Sequence, residues 1–349
     1  MAERASVVEA VQVGLEATLG TLVAANKRLS ATTIRLNPMA ETDEFAPEGQ
    51  KDVTLVTEVA EWSEAAIEGR LTYDEFAYLL SAHYGVATSR AITDAGGVAV
   101  TGAFGYEWTA TQSTLDVPKT LTIERGSAYR AFRAGGGVVK DLGYTLGRRG
   151  GAPAITGALI GQRIEDGVTL TAAPTQVVAT PVQSPQIDIY LNATAATVGT
   201  TKLARSSKVE WARTGKFADY WILDSAKPSW VDAVEAKPDA SLTLTVQADA
   251  SGMGLLTNLR AGSTVFIRVE AKGPQLATTA AGWKIGGGAT ITGNASFLFR
   301  HDIACKVREM APIEDQDGVI GGAWPMRIVY DATLGYSERL TLVNNTAAL

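Results

Sequence analysis

Apolar and polar residues alternate along much of the chain. In Thr120–Glu124, Ser241–Gln247, Thr264–Glu270 and Arg339–Val343 every second side chain is apolar, and β-branched residues are enriched. A period of two puts those side chains on one side of an extended backbone, so each run predicts a strand with one buried face. Two segments change period. Phe76, Leu79 and Leu80 within Tyr73–Gly85, and Met253, Leu256 and Leu259 within Ala250–Gly262, share one face of a helix. Asp74 and Ser251 are candidate caps at their starts, and Gly85 and Gly262 close them. Glycines, 35 in all, break the remaining runs into turns and bulges. The predicted fold class is mainly β, with tandem sandwich- or barrel-like domains that each carry a short flanking helix.

The order of these elements occurs twice. Val13–Thr18, Gly20-Thr21 and Lys27–Leu36 read as strand, Gly-Thr loop, strand, and so do Ile189–Thr194, Gly199-Thr200 and Lys202–Trp211. Trp62 then precedes the first Leu-Leu helix and Trp230 the second. Between the halves, Leu170–Pro185 holds three prolines in a polar, β-branched setting, which predicts an extended linker that docks along a neighbour. The expected domains are residues 1–180 and 181–349. Such β domains have edge strands, a liability unless they are paired or covered. In a filament former the same edges become the means of assembly.

Charge changes this picture in one respect. Of the net charge of −6, all lies in residues 1–180, much of it between Glu41 and Glu75. No basic face of the kind that binds nucleic acid is visible. The charged fraction of 19% is low, in keeping with surfaces buried by assembly. No apolar run approaches the roughly 18 residues of a bilayer span. The charged start MAERASVVEA lacks a signal-peptide core, which predicts synthesis in a cytoplasm. The single cysteine, Cys305, falls in an alternating run and reads as a buried apolar residue.

Candidate chemistry is sparse. His83 and His301 lie one in each half and read as structural or surface residues. No Gly-x-Ser-x-Gly elbow accompanies them, and one cysteine with two distant histidines does not make a zinc site. Glu314–Asp317 before Gly318 resembles part of a calcium loop but lacks its spacing, and a solvated hairpin tip is the favoured reading. Gly135–Gly137 and Gly286–Gly288 lack the Lys-Ser/Thr signature of a phosphate loop, and Arg148–Gly151 reads as a turn. Trp62, Trp108, Trp221, Trp230, Trp283 and Trp324 suit a core or an interface, with sugar-binding platforms as the alternative. No catalytic, cofactor or metal residue is assigned, and the chain is not expected to be an enzyme.

Several segments carry a resemblance. Ile187–Leu191, Thr200–Leu203, Trp221–Ser229, Leu242–Asp249, Arg260–Thr264 and Trp324–Gly335, with Gly14–Thr21 and Phe45–Gly49 near the start, resemble the major tail proteins, or tail tube proteins, of long non-contractile-tailed bacteriophages. The resemblance implies a self-assembling virion protein whose inner sheets join in a barrel around a lumen. Two fused tube domains imply trimeric, pseudo-sixfold rings stacked head to tail, with tape-measure, terminator and tail-tip proteins as partners. DNA would pass through the lumen without specific binding, and no membrane is involved. Because Lys and Arg contacts dominate non-specific DNA affinity, a neutral or negative wall is expected, with carboxylates of Glu41–Glu75 or of the alternating strands facing inward. Stacking is expected from a long Thr33–Thr57 loop and from the linker. The alternatives are another virion shell or tail-tip component, or a carbohydrate-binding β module.

Overall fold

The alternating segments form seven principal strands in each half of the chain. They are β1 (Ala10–Leu15), β2 (Thr32–Phe45), β3 (Leu55–Arg70), β4 (Leu121–Gly126), β5 (Ala131–Gly147), β6 (Ala154–Gly161) and β7 (Ile164–Val168) in the first half. The second half holds β8 (Ile187–Asn192), β9 (Ser206–Thr214), β10 (Asp239–Gln247), β11 (Thr264–Ala277), β12 (Ala295–Val307), β13 (Val319–Ile328) and β14 (Glu338–Asn344). Helix α1 (Phe76–Tyr84) follows β3, and α2 (Ala250–Ala261) follows β10. The structure is a computed structural model that describes residues 9–127, 129–148, 151–279, 281–316 and 319–349. With 53% of residues in strands and 8% helical, the protein is mainly β.

Strand pairing follows one order twice. The first half pairs as β1–β4–β5–β6–β3–β2, and β7 returns onto β5. The second pairs as β8–β11–β12–β13–β10–β9, and β14 returns onto β12. All of these pairings are antiparallel. In both halves the long third strand of the order, β5 or β12, takes part in two layers. Its beginning pairs with the outer strands, and its end joins β6 or β13.

The halves are stitched together. Leu142–Gly147 of β5 pairs with Lys208–Arg213 of β9 along a seam, which makes one eight-stranded sheet in the order β2–β3–β6–β5–β9–β10–β13–β12. On the outer layer β14 pairs with Phe104–Thr109 of the first half. The main apolar core runs across both halves, from Ile34, Ile67 and Tyr144 to Trp211, Leu244 and Trp324. Alternation explains it: Ile34 and Leu36, Ala65 and Ile67, Val209 and Trp211, and Leu242 and Leu244 turn inward from successive strands.

Four details depart from the sequence reading. First, α2 is capped by Asp249, whose side chain accepts from Ser251 N and Gly252 N, rather than by Ser251. Asp74 does not cap α1; its Oδ2 accepts from Thr180 N at 3.1 Å. Second, α1 is buried on every side, because the second half covers it through Phe217, Phe299 and Glu338, whereas α2 buries only Gly252 and Leu255. Third, the Pro-rich linker lies along its own chain: Thr175-Gln176 pairs with Lys27-Arg28, and Thr180 and Val182 bond to Tyr73 and Leu71. Fourth, Trp62 sits within β3 while Trp230 sits in a loop, so the two do not occupy matching places.

Candidate functional site

The eight-stranded sheet has one face on the core and one open face. Following the register outward from Glu68, the open face is made largely of small residues, among them Ala66, Thr156, Ala158, Gly143, Thr145, Ala212, Thr243 and Ala323. Over the core its charged side chains are Arg35, Arg70, Lys208, Lys306 and Arg327 against Glu64, Glu68, Asp141, Glu210 and Asp239; the register adds Glu41, Glu44 and Glu58 on the hairpin and Arg308 on the opposite edge, so the face carries no excess of positive charge. Three of the cations stand beside carboxylates of the same face: Arg35–Glu68 at 3.6 Å, Lys208–Glu210 at 2.8 Å and Arg327–Asp239 at 3.8 Å. Exposed pairs of this kind contribute little stability. Their effect is local neutralisation. Of the Glu41–Glu75 carboxylates, Glu41, Glu44, Glu58, Glu64 and Glu68 fall on this side by register. Asp74 and Glu75 are buried, and Glu75 accepts from Ser30 N and Ala31 N.

Both ends of the sheet are open edges among the described residues. At one end β2 pairs with β3 alone. At the other, the chain continues β12 through Arg308–Gln316 and stays bonded to β13 by Arg308 N to Pro325 O, Ala311 N to Ala323 O and the Glu314–Gly321 pairing. In the first half the corresponding end of β5 is covered by β9. The run Glu314–Asp317, expected as a solvated hairpin tip, falls on this edge. Its backbone to Gln316 is a strand paired with Val319–Gly321, and Asp317 and Gly318 lie outside the described residues.

The segment expected as a Thr33–Thr57 loop is instead the β2–β3 hairpin. Everything from Asn37 to Val59 except Pro47 is exposed, including Phe45 at 57%, Leu55 at 57%, Val56 at 60% and Val59 at 59%. The matching hairpin of the second half behaves differently. After β9, Gly215 adopts φ +66° and turns the chain into the pair Phe217–Tyr220 and Asp232–Glu235, where Phe217, Trp230 and Ala233 pack on Val138 and Ile160. Only a residue tolerating the left-handed region makes that turn cheaply.

Beneath the seam lies a buried polar cluster that neither half completes alone. Glu338, fully buried, accepts from Tyr84 Oη at 2.7 Å, Trp211 Nε1 at 2.9 Å and Arg213 Nη1 at 2.5 Å, with His301 Nε2 3.3 Å away. Burial alone would raise the Glu338 carboxyl, but Arg213, His301 and Tyr84 hold it well below the usual carboxylate range. Burial pushes Lys216 down to about 8, opposed by Asp116 at 2.7 Å. Burial also pushes His83 well below its usual value, reinforced by Lys216, while its Nδ1–H donates to Val139 O at 2.9 Å. The cluster fixes how the halves meet. Its sequence signal was Arg213, a cation on the same strand face as Val209 and Trp211.

The remaining candidates are dispersed. Trp108, Trp230, Trp283 and Trp324 are core residues, and Trp62 and Trp221 pack edge to face at 5.9 Å, half-buried. Gly136 sits over Trp230, and Gly286 approaches Arg90. Cys305 is buried beside Met326. No helix among the described residues is long and apolar enough to cross a membrane. In comparisons with known proteins, no family model matches the chain and no curated protein matches it.

Proposed function

We propose that this chain is a tail tube protein of a long non-contractile-tailed phage, which closes into rings through the two open edges of its inner sheet. The observation that carries the reading is the seam. Inside one chain the end of β5 pairs with β9, and by the repeated pairing order their counterparts are Arg308–Gln316 and β2, the two edges left open. Laying β2 of a second copy on Arg308–Gln316 repeats the internal seam and removes both edges. The contact joins unlike surfaces, so repetition makes a ring when the rotation closes.

Three copies would supply twenty-four strands from six pseudo-equivalent units. With strands about 4.8 Å apart and tilted by about 40°, such a barrel is about 48 Å across between backbones. The open face, with no excess of positive charge, would line its lumen, where a surplus of cations would hold the phosphates of passing DNA. In the virion, tape-measure, terminator and tail-tip proteins would meet the two ends of the stack. Native mass measurement at rising concentration tests the ring: species in multiples of three chains of 36.7 kDa are expected. A closed dimer that consumes both edges would count against it.

A further inference from the structure

We infer that a cleft on the outer layer of the second half binds a small acidic molecule, whose carboxylate or phosphate group sits on Arg339. Its floor is the sheet formed by β11, β12 and β14, continued by Phe104–Thr109 and Thr88–Arg90. Alternation buries Val269, His301 and Leu340 in the core and leaves a charged row on the other side of these strands. Two loops, Val198–Thr200 and Ile285–Thr292, wall the row and enclose a volume of ~580 Å³. That volume suits a small ligand, and the polar lining suits a hydrophilic one. Gly199, at φ +82°, lets the first wall close onto the row, since a Cβ there would collide with the Arg268 guanidinium.

Five cations in the cleft share three carboxylates. Arg268 donates to Asp302 at 2.5 and 3.0 Å, Arg300 to Glu270 at 2.8 Å, and Arg90 to Glu107 at 2.5 Å. Arg339 and Lys272 come second to those pairs. Arg339 Nη2 is 3.4 Å from Asp302, and its Nε is 4.0 Å from Glu107 and without a hydrogen-bond partner. Lys272 Nζ stands 3.3 Å from Glu270, with its side chain half-exposed. The lining thus carries a surplus of two positive charges, and a walled cleft concentrates that field on whatever enters. A guanidinium with donors to spare is well shaped for a carboxylate or a phosphate. The register also separates the two under-paired cations. Arg339 lies opposite Asp302 and Asp302 opposite Arg268, whereas Lys272 is four residues further, about 13 Å along β11. The ligand therefore has an acidic end on Arg339 and a polar body reaching toward Lys272.

The repeat provides a comparison within the chain. At the equivalent register positions of the first half, a smaller cleft of ~330 Å³ lies against Gly20-Thr21. Arg133 stands there in the place of Arg300, and Arg163 in the place of Arg339. Each of these arginines has a carboxylate of its own, Glu165 at 2.6 Å and Glu61 at 2.9 Å, and the one other lining cation, Lys227, is exposed. The repeated fold makes the cleft, and only the second half leaves its arginines short of carboxylates.

Titration calorimetry of the full wild-type chain at low salt tests the site with galacturonate, glucose 6-phosphate and uncharged glucose. At least one acid should bind and glucose should not, and the acid that binds identifies the anionic group. Arg339→Gln should weaken that binding by about tenfold or more, the worth of one charge-assisted bond. Lys272→Gln should weaken it as well, and Arg163→Gln, the equivalent change in the first half, should leave it unaltered. Equal binding by the wild type and Arg339→Gln, glucose binding as tightly as the acids, or no binding of either acid would overturn the inference. Should Arg339→Gln fail to fold, the half-exposed Lys272→Gln decides in its place, and an unchanged affinity would overturn the inference equally. Ring formation is a separate matter, because the cleft uses neither open edge of the inner sheet.

Discussion

Replacing Glu338 with Ala should destabilise the chain by about 3–5 kcal/mol, the usual result of leaving a buried partner charge uncompensated. The structure supplies the reasons. Arg213, with its side chain 8% exposed, would lose its carboxylate, and Trp211 Nε1 and Tyr84 Oη would lose their acceptor. An unmade buried hydrogen bond costs about 1–3 kcal/mol, and these losses overlap rather than add. Urea unfolding of the unassembled chain is the assay. With a slope near 3 kcal/mol/M for a large domain, the midpoint should fall by about 1 M or more. The paired replacement Glu338→Leu with Arg213→Leu should recover most of the loss, since apolar packing often equals a buried ion pair. A loss below about 1 kcal/mol for Glu338→Ala, or additivity of Glu338→Ala and Arg213→Ala within about 0.5 kcal/mol, would refute the coupling.

Acid should weaken the protein in two stages. His83 stays neutral in the fold while the unfolded chain takes up its proton, so stability should fall below pH 6.5 by up to about 1.4 kcal/mol per unit, and His83→Gln should flatten that limb in a pH series of melts. Glu338 adds a second decline as pH drops below 4.5, its usual value, toward its lowered folded one. Asp249→Ala should cost about 1 kcal/mol by uncapping α2, read from the urea midpoint. Ala66→Lys with Thr156→Lys would place two extra cations on the open face, and binding of a short duplex to assembled tubes should tighten and become more salt-dependent, which anisotropy at several salt concentrations measures.

Period-two alternation marks out most strands, because one buried face per strand leaves a direct trace in the sequence. The two helices were equally legible from Leu79-Leu80 and Leu255-Leu256. What escaped was set by tertiary partners. The stretch Thr33–Thr57, rich in carboxylates of poor strand propensity, reads as a loop, yet its strands continue the buried segments Thr32–Leu36 and Ser63–Ile67. Asp74 reads as a helix cap but accepts from the backbone of Thr180, and Glu75 beside it is drawn to the backbone of Ser30 and Ala31. The linker's destination depended on pairing with Lys27-Arg28, which no local pattern announces. Glu338 and Arg213 lie 125 residues apart, and only the repeated sheet order brings them together.

The most direct test of the account is averaging of end-on electron micrographs of assembled wild-type chain. A hollow ring of three copies with a pseudo-sixfold outline is expected, with β2 of each copy beside Arg308–Gln316 of the next. A particle without a central channel, or one in which those two edges stay apart, would contradict the central claim.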